Sequence, residues 1–427
     1  MKRAVLVALN TPGYYNLAIH SLRLYAARDK ALLRQCRIFT AEYDLRTADS
    51  DILGNLVRLQ PELIAFSCYV WNITKSLGLA RALKKLLPAS RLLFGGQEVT
   101  HSTLSYLEQY PFLDIVADGE GEETFRRILL SMTGDDFLSL KDIPGIQYRC
   151  GDSWHSNPPA AEIGNLDQLP SPYLENAVSI PPGSPLGVMI EHARGCPGNC
   201  AFCFEALRAG RPRFFSTERV AAEIRWALLQ GHDYVHLLDP VLAGNDPQRL
   251  ASLHRILSEE RRRSCFRVSV EIDAERVQDG NRPLFDCYQV FDVGLQTVNP
   301  AANRAIRRPF HREAFAAGFE RLRSLGRRIN LYLIYGLPED DYAEFMKGIC
   351  FAESLGEAKI FLNRLCVLDG TPLRREARKL GLEYRDTPPY EILSHPTYSF
   401  ADIAKSESFA RNYMRFHGTA AWAAFPA

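Results

Sequence analysis

Short apolar runs alternate with amphipathic helical segments along most of the chain, and this alternation restricts the fold more than any other feature. In residues 1–135 the predicted strands are RAVLVALN (3–10), CRIFTAEYDL (36–45), ELIAFSCYVW (62–71), RLLFGG (91–96) and the start of FLDIVADGEGEETF (112–125). Helical segments such as NLAIHSLRLYAARD separate these runs. Strands connected through helices pair in parallel, so we predict a doubly wound α/β domain over residues 1–135.

The second half of the chain repeats the alternation after an interruption. Residues 136–185 contain DQLPSPYLENAVSIPPGSP, whose Pro, Ser and Asn content predicts a linker. In residues 186–370 the predicted strands are GVMIE (187–191), YVHLLD (234–239), FRVSVEI (266–272), YQVFDVGLQ (288–296), INLYLIYGLP (329–338) and KIFLNRLCVL (359–368). Six strand–helix units predict a partial (β/α)6 TIM-like barrel, with its chemistry at the carboxyl ends of the strands. Residues 371–427 are predicted to form a small C-terminal helical extension.

The net charge and the hydropathy of the chain limit the kinds of molecule that it is expected to bind. The chain has 46% apolar and 24% charged residues, and its 51 basic and 50 acidic side chains leave a net charge of +1. No global basic field is available for nucleic acid or an anionic membrane, so neither is expected as a partner and a small molecule is favoured. The N-terminal apolar run ends at Asn10, too early for a signal peptide, and no stretch approaches ~20 apolar residues. We therefore expect a cytoplasmic protein.

Three of the ten cysteines stand close together. Cys196, Cys200 and Cys203 follow the pattern C-x3-C-x2-C in EHARGCPGNCAFCFE, directly after the first barrel strand. The other seven are scattered singly and are predicted to be small buried hydrophobes. A structural zinc site takes four protein ligands, and here His192 is the one nearby alternative to a missing fourth cysteine. Closely spaced thiolates on a Gly- and Pro-containing loop suit an iron–sulfur cluster, with one iron left free of protein ligands.

This motif resembles that of the radical S-adenosylmethionine (SAM) superfamily. The spacing, the aromatic Phe202 before the last cysteine and the position after the first barrel strand all match. The resemblance implies that the cysteines hold a 4Fe–4S cluster whose open iron is chelated by SAM. Reduction by a donor such as flavodoxin or ferredoxin then usually cleaves the sulfonium, giving a 5′-deoxyadenosyl radical.

Further segments resemble the same superfamily in the expected order. LLDPVLAGND places Asp239 and Asn245 like an acidic and an Asn position of the family, although a second acidic residue and an aromatic of that pattern are absent. VGLQTVNP resembles a G-x-Q-S-x-N segment, and YGLPED resembles a turn after the fifth strand. The resemblance implies that SAM is contacted by Asp239, Glu271, Gln296 and Arg308, the arginine meeting its carboxylate. Taken singly, each of these residues also fits a structural role.

The N-terminal domain resembles the Rossmann-like cobalamin-binding module of one radical SAM subgroup. The matching segments are SCYVWN (67–72), GGQEVT (95–100) and DGEGEETF (118–125), all expected at the carboxyl edge of the sheet. The implied cobalamin contacts are Ser67, Tyr69, Trp71, Gly95, Gly96, Gly119 and Glu120, with the glycines letting the backbone approach a flat ring. The D-x-H-x-x-G motif that ligates cobalt in mutases is absent. The resemblance to the radical subgroup, where this motif is often absent, implies that the lower face of cobalt is left open or water-bound, with Tyr69, Val70 and Trp71 as the candidates facing it. The alternative is a domain retained without cobalamin.

Three classes of function follow from the resemblance. The favoured class is cobalamin-dependent radical methylation of a small molecule. The second keeps the radical without methyl transfer, as in cyclisation, ring contraction, redox chemistry or transfer of another group of SAM. The third is a cluster-bearing sensor or binding protein without catalysis. The residues themselves do not identify a substrate.

Overall fold

The computed structural model describes residues 1–100, 103–133, 137–205, 212–242 and 246–418. The chain divides into two compact units, Met1–Pro185 and Leu186–Ala427. None of the helices in the described ranges is long and apolar enough to cross a membrane.

The first unit contains a seven-stranded sheet within its described residues. Its strands are β1 (Lys2–Asn10), β2 (Cys36–Asp44), β3 (Leu63–Ser67), β4 (Arg91–Gly95), β5 (Ile115–Ala117), β6 (Ile146–Cys150) and β7 (Ser153–Ser156). Its helices are α1 (Leu17–Ala27), α2 (Lys30–Gln35), α3 (Asp49–Leu59), α4 (Ile73–Leu86), α5 (Thr103–Gln109) and α6 (Gly121–Thr133). The strand order is β2-β1-β3-β4-β5-β6-β7, and the first five strands are parallel.

The central strands of the first unit's sheet, β1, β3 and β4, are buried on both faces. Along β1, Val5 and Val7 belong to a hydrophobic core shared with α3 and α4. The alternate residues Ala4 and Leu6 belong to a second core shared with α1 and α6. Because successive strand residues point to opposite faces, an unbroken apolar strand needs helices on both sides. This arrangement confirms the predicted doubly wound domain.

The segment predicted as a linker differs from the prediction. Residues 136–185 lie within the first unit, and β6 and β7 extend its sheet in antiparallel register. The Asn157 side-chain amide holds this extension in place by donating to the carbonyls of Leu140 and Ile143, at 2.7 Å each. The strand β7 is exposed along its whole length, so its sequence SWHS carries no apolar signal.

The second unit contains the parallel strands of the barrel. The strands of this unit are β8 (Val188–Glu191), β9 (Ala193–Arg194), β10 (Arg213–Phe214), β11 (Tyr234–Leu238), β12 (Arg267–Ile272), β13 (Val290–Gln296), β14 (Arg328–Tyr335), β15 (Lys359–Arg364), β16 (Glu383–Tyr384) and β17 (Ile392–Ser394). Its helices are α7 (Thr217–Leu229), α8 (Pro247–Arg261), α9 (Pro300–Ala305), α10 (Arg312–Arg323), α11 (Tyr342–Ser354), α12 (Pro372–Glu376) and α13 (Phe400–Phe416). Six parallel strands in the order β15-β14-β13-β12-β11-β8 confirm the predicted partial barrel.

Local capping fixes where several helices begin. The Asn16 side chain accepts a hydrogen bond from the Ile19 amide at 3.1 Å and so starts α1. Asp246 accepts from the amides that open α8, with Pro247 in the first helical position. Ser399 caps α13 in the same way. These residue types satisfy amides that have no partner inside the helix, which explains the positions of the helix starts.

Candidate functional site

The loop after β8 brings the three clustered cysteines together. The Gly198 amide donates to the Cys196 sulfur at 3.3 Å. A Cβ atom at Gly198 would lie 3.4 Å from the Cys196 Sγ and 4.0 Å from the Cys200 Sγ, so both thiols face this glycine. The Cys203 thiol interacts electrostatically with both of them. We call residues 196–203 the cluster loop.

Two backbone hydrogen bonds hold the cluster loop from its buried side. Ala201 is fully buried between the second and third cysteines. Its amide donates to the Ile306 carbonyl just after α9, and its carbonyl accepts from the Leu373 amide in α12, both at 2.8 Å. Three distant parts of the sequence therefore meet at one residue. The loop is positioned by the folded unit as well as by any metal it holds.

The cysteine arrangement fits an iron–sulfur cluster better than a single zinc ion. Tetrahedral zinc with Zn–S bonds of about 2.3 Å would place the sulfurs about 3.8 Å apart. The three Sγ atoms of the cluster loop do not all lie within 4.8 Å of one another. Desolvation raises the pKa of Cys196, and it raises the pKa of Cys203 to about 12. A strong positive charge nearby favours the thiolate form of these two cysteines. A bound metal cluster would supply that charge.

Arg308 links the end of β13 to the cluster loop. Its Nη2 donates to the Gly294 carbonyl at 2.7 Å, and its Nη1 lies 3.6 Å from the Cys200 sulfur. Gly294 leaves room for this approach, because a Cβ there would lie 3.2 Å from the Arg308 Nη2. The guanidinium is thus held beside the cysteines, where an anionic group of a ligand would meet it. Its predicted contact with the SAM carboxylate stays a prediction.

Gln296 carries a buried acceptor with no protein partner. It ends β13 with a positive φ of 65°, which turns its side chain out of the ordinary strand pattern. Its Oε1 atom is buried and has no hydrogen-bond partner among the described residues. A buried amide oxygen left unpaired costs free energy unless a ligand or water donates to it. Gln296 therefore fits the predicted role of contacting a bound group.

Glu271 on β12 lies near the carboxylates of Asp292, Asp239 and Glu205, and we call the region of these four side chains the recess. Its side chain keeps accessible surface, yet desolvation raises its pKa to about 8, with further contributions from the carboxylates of Asp292, Asp239 and Glu205. Glu271 and Asp292 are direct partners in the register of β12 and β13. At neutral pH this carboxyl holds a proton that a bound cation would displace.

Asp239 has a partner inside the protein. Its carboxylate lies 3.0 Å from the His192 Nε2, and both side chains are buried. The contact joins the residue after β11 to the residue after β8, immediately before the cluster loop. Its predicted contact with SAM stays a prediction, and Asn245 lies outside the described residues.

Two polar residues in or next to this recess were not predicted from the sequence. Asp292 accepts hydrogen bonds from the Tyr332 hydroxyl and the Asn330 amide, at 2.8 Å each. A signal existed, because Asp292 and Gly294 are two residues apart in β13 and so share a face, and the carbonyl of Gly294 contacts Arg308. The partner Tyr332 could not be found in this way, since its position depends on the register between β13 and β14.

In the first unit, the carboxyl ends of β3, β4 and β5 carry most of the predicted cobalamin contacts. The Ser67 hydroxyl accepts from the Asn16 side-chain amide at 3.3 Å, which leaves its own proton available to a ligand. The rings of Tyr69 and Trp71 stack at 4.4 Å with an angle of 6° between their planes, and Trp71 is exposed. A flat aromatic surface therefore lies next to Ser67. We call this side of the sheet the ligand edge.

The glycines of the ligand edge have different reasons to be glycine. Gly96 has φ 112°, and a Cβ there would lie 2.5 Å from the Cys68 carbonyl oxygen, so the protein's own backbone excludes a side chain. At Gly119, with φ 83°, a Cβ would meet no atom within 4 Å, so open space lies in front of it. At Gly95 a Cβ would make only an ordinary contact. The neighbouring Glu120 carboxylate accepts from the Ile163 amide at 3.0 Å. The open backbone at Gly119 fits the approach of a broad ring.

A partly exposed hydrogen-bond network that the sequence did not reveal supports the ligand edge. The Glu42 carboxylate at the end of β2 lies 2.6 Å from the His20 Nε2 and accepts from the Asn10 side chain at 2.7 Å. It also accepts from the Asn16 amide at 2.9 Å. Because Asn16 contacts Ser67, the network fixes the loop before α1 against β3. Its members are scattered over the first 67 residues, so no local pattern predicts it.

Comparison with protein families identifies both units. Residues 190–349 match the Radical SAM superfamily, and residues 30–129 match the B12 binding domain. The two matches confirm the resemblance found in the sequence. They imply a 4Fe–4S cluster and SAM in the second unit and cobalamin in the first, in agreement with the donor sets described above.

Two curated proteins are similar to this chain in sequence. The chain is 25% identical to the cobalamin-dependent radical SAM methyltransferase TokK of Streptomyces tokunonensis, over 92% of this chain and 60% of that protein. It is 28% identical to a 2-(S-pantetheinyl)-carbapenam-3-carboxylate methyltransferase of Streptantibioticus cattleyicolor, over 53% of this chain and 34% of that protein. The chain thus spans less than two thirds of either relative.

A solved structure has the same fold at lower sequence identity. It is the radical SAM methyltransferase TsrM from Kitasatospora setae, with tryptophan and a SAM analogue bound. The TM-score is 0.73 at 15% identity, and the match covers 97% of this chain and 83% of TsrM. The likeness supports the fold of the chain over nearly its whole length.

Proposed function

We propose that this chain, a member of the radical SAM superfamily with a B12-binding domain ahead of its radical SAM domain, is a cobalamin-dependent methyltransferase acting on a small molecule. One observation carries the proposal: a three-cysteine loop and a B12-binding domain occur in the same chain. TokK and the carbapenam enzyme, both named as methyltransferases, share sequence with it and so support the reaction class.

The bound groups would supply the difficult chemistry, namely a radical that removes a hydrogen atom from the substrate and a methyl group that takes its place. The chain's own residues bind and orient. Cys196, Cys200 and Cys203 hold three irons and leave the fourth to SAM. Arg308 offers a charge-assisted donor to the SAM carboxylate, and the unpaired Gln296 Oε1 offers an acceptor.

The ligand edge would hold cobalamin without a protein ligand to cobalt. Ser67 donates from its hydroxyl to a polar edge of the cofactor, and the open backbone at Gly119 accepts the ring. The stacked pair of Tyr69 and Trp71 provides an apolar face that excludes water from one side of the corrin. Bound there, cobalamin would supply the methyl group that the substrate receives.

The substrate class and the electron source belong to the same proposal. The carbapenam relative is named for a small-molecule substrate, which supports a small molecule here, methylated at an unactivated carbon or phosphorus centre. The nearly balanced charge of 51 basic and 50 acidic side chains favours no polyanionic substrate. We further propose that a flavodoxin or ferredoxin in the cytoplasm reduces the cluster.

The experiment measures the products of SAM by the full chain, reconstituted with iron, sulfide and cobalamin under anaerobic conditions. With a strong chemical reductant we expect both S-adenosylhomocysteine and 5′-deoxyadenosine. 5′-Deoxyadenosine without S-adenosylhomocysteine, across candidate substrates, would instead support radical chemistry without methyl transfer. Methylthioadenosine would indicate transfer of another group of SAM. Neither product, from protein with full iron and cobalt content, would refute an enzymatic function of this type.

A further inference from the structure

A second set of ligand-type side chains lies far from the cluster loop along the chain. His254 belongs to α8, and Asp286 and Cys287 lie in the loop before β13. One ligand atom from each residue lies within 4.8 Å of the other two, and no other such trio is found among the described residues. Since the barrel strands are parallel, a loop that precedes β13 lies at the amino ends of the strands. The cluster loop follows β8 and lies at their carboxyl ends, so the two sites are separate.

The His254 ring is arranged so that one nitrogen faces the other two residues. Its Nδ1 is buried and has no hydrogen-bond partner among the described residues, although the Asp286 Oδ1 lies 3.5 Å away. On the other side of the ring, Nε2 lies 3.5 Å from the Ser258 hydroxyl. When Nε2 carries the proton and donates to Ser258, the lone pair of Nδ1 points toward Asp286 and Cys287. Metal-binding histidines are commonly oriented by such a contact.

The charges and accessibility of the trio also suit a cation. Without a metal, the Cys287 thiol donates to the Leu284 carbonyl at 3.7 Å. Bound to a metal as a thiolate, Cys287 would together with the Asp286 carboxylate supply two negative charges, which balance one divalent ion. Cys287 is buried, whereas the Asp286 side chain is 58% exposed and leaves room for water. The Arg261 guanidinium donates to the Cys287 carbonyl at 2.9 Å and holds this loop against the end of α8.

We propose that His254, Asp286 and Cys287 bind one divalent transition-metal ion, with Zn²⁺ as the best match and water in the fourth position. Mixed nitrogen, oxygen and sulfur ligands are those that zinc accepts in four-coordinate sites. Zn–N and Zn–O bonds of about 2.0–2.2 Å in a tetrahedron place nitrogen and oxygen about 3.3–3.5 Å apart, close to the observed separation. The ion would fasten α8 to the start of β13. This inference is independent of the proposed methyl transfer.

The test uses Co²⁺ as a paramagnetic substitute for Zn²⁺. The full chain is loaded with its iron–sulfur cluster but not with cobalamin, and the cluster is kept in its oxidised, diamagnetic state, so it adds no signal. We expect electron paramagnetic resonance to detect about one high-spin Co²⁺ per chain, displaced by added Zn²⁺. His254→Gln and Asp286→Asn should each weaken Co²⁺ binding at least ~10-fold. His232→Gln changes a histidine that packs on Trp226 and should leave binding unchanged.

A conservative variant separates a lost ligand from a damaged fold. Cys287→Ser keeps the size of the buried side chain, so the protein should retain its cluster iron while losing the near-ultraviolet thiolate-to-cobalt absorption. Equal Co²⁺ binding by wild type, His254→Gln and Asp286→Asn would overturn the proposal. Wild-type protein that carries its iron–sulfur cluster but binds no Co²⁺ would also overturn the proposal. The trio would then be an ordinary ion pair next to a core cysteine.

Discussion

The cluster loop and the ligand edge hold their predicted cofactors by different means. The cluster loop would depend on three side chains, Cys196, Cys200 and Cys203, whose sulfurs are the proposed iron ligands. The ligand edge depends mainly on backbone shape, as at Gly96 and Gly119, and on a stacked aromatic surface. A metal cluster thus leaves a short, specific pattern in a sequence. A large organic ring leaves scattered glycines that also serve other purposes.

The largest effect is expected from breaking the cluster loop alone. Cys200→Ala removes an iron ligand, and formation of 5′-deoxyadenosine should fall at least ~1000-fold, or about 4 kcal/mol in activation free energy. Cobalamin binding, measured by its visible absorption after gel filtration, should persist. Cys350→Ala alters an exposed thiol on α11 and serves as the control. Loss of cobalamin together with iron would contradict the independence of the two regions.

The converse change acts on the ligand edge. Gly96→Ala introduces a Cβ 2.5 Å from the Cys68 carbonyl in a backbone with φ 112°, so the loop after β4 must move. A cost of about 1–3 kcal/mol is typical of such strain, and cobalamin affinity should fall about 10–100-fold while cluster iron is unchanged. Gly78→Ala, on an exposed face of α4, has open space around it and should preserve both cofactors. Unaltered cobalamin affinity in Gly96→Ala would place the corrin elsewhere.

A smaller effect is expected where side-chain charge supports the cluster region. Arg308→Gln removes the guanidinium between Gly294 and Cys200. Loss of a hydrogen bond to a charged group costs about 1.5–3 kcal/mol, so SAM affinity measured by equilibrium dialysis should fall ~10–100-fold. Arg304→Gln, on the exposed side of α9, is the matched control. If the two variants bind SAM equally well, Arg308 is a structural residue that does not contact the ligand.

The smallest effect concerns the pH dependence of stability in the recess beside the cluster loop. Burial raises the Glu271 pKa from 4.5 to about 8, so the folded protein keeps a proton that the unfolded chain releases. The stability this proton provides is present below pH 4.5 and is lost as the pH rises toward about 8. In ligand-free protein, Glu271→Gln should flatten the decline of the melting temperature over this range. Parallel declines in the two proteins would show that Glu271 titrates normally.

The sequence predicted the strands that are apolar and missed those that are not. All five predicted strands of the first domain and all six of the barrel occur, and most of them carry buried Val, Leu and Ile residues, although the edge strand β2 is largely half-buried. The exposed strand β7 gave no such signal, so residues 136–185 were interpreted as a linker. A sequence pattern reports which residues are buried, and it does not report which strands pair. An edge hairpin forms with little burial, so its sequence carries a weak pattern.

The candidate sites show the same limit. The three cysteines were evident from spacing, but the partners of Asp292 depend on the register of β13 with β14, which no local pattern specifies. The sequence predicts that Gly96 leaves room for a ring. In the structure a side chain at Gly96 would collide with the Cys68 backbone, which is by itself a sufficient reason for glycine at this position. Residues that act through distant neighbours are recognised only after the chain is folded.

The two backbone hydrogen bonds of Ala201 have a consequence for when the cluster loop becomes fixed during synthesis of the protein. The amide and carbonyl of this residue find their partners at Ile306 and Leu373, more than a hundred residues later in the chain. While a ribosome is still synthesising the residues up to 373, the cysteine segment has already left the tunnel. At that stage the partners of the Ala201 backbone have not yet been made or folded. The two backbone hydrogen bonds that hold Ala201 therefore form only after translation has passed residue 373.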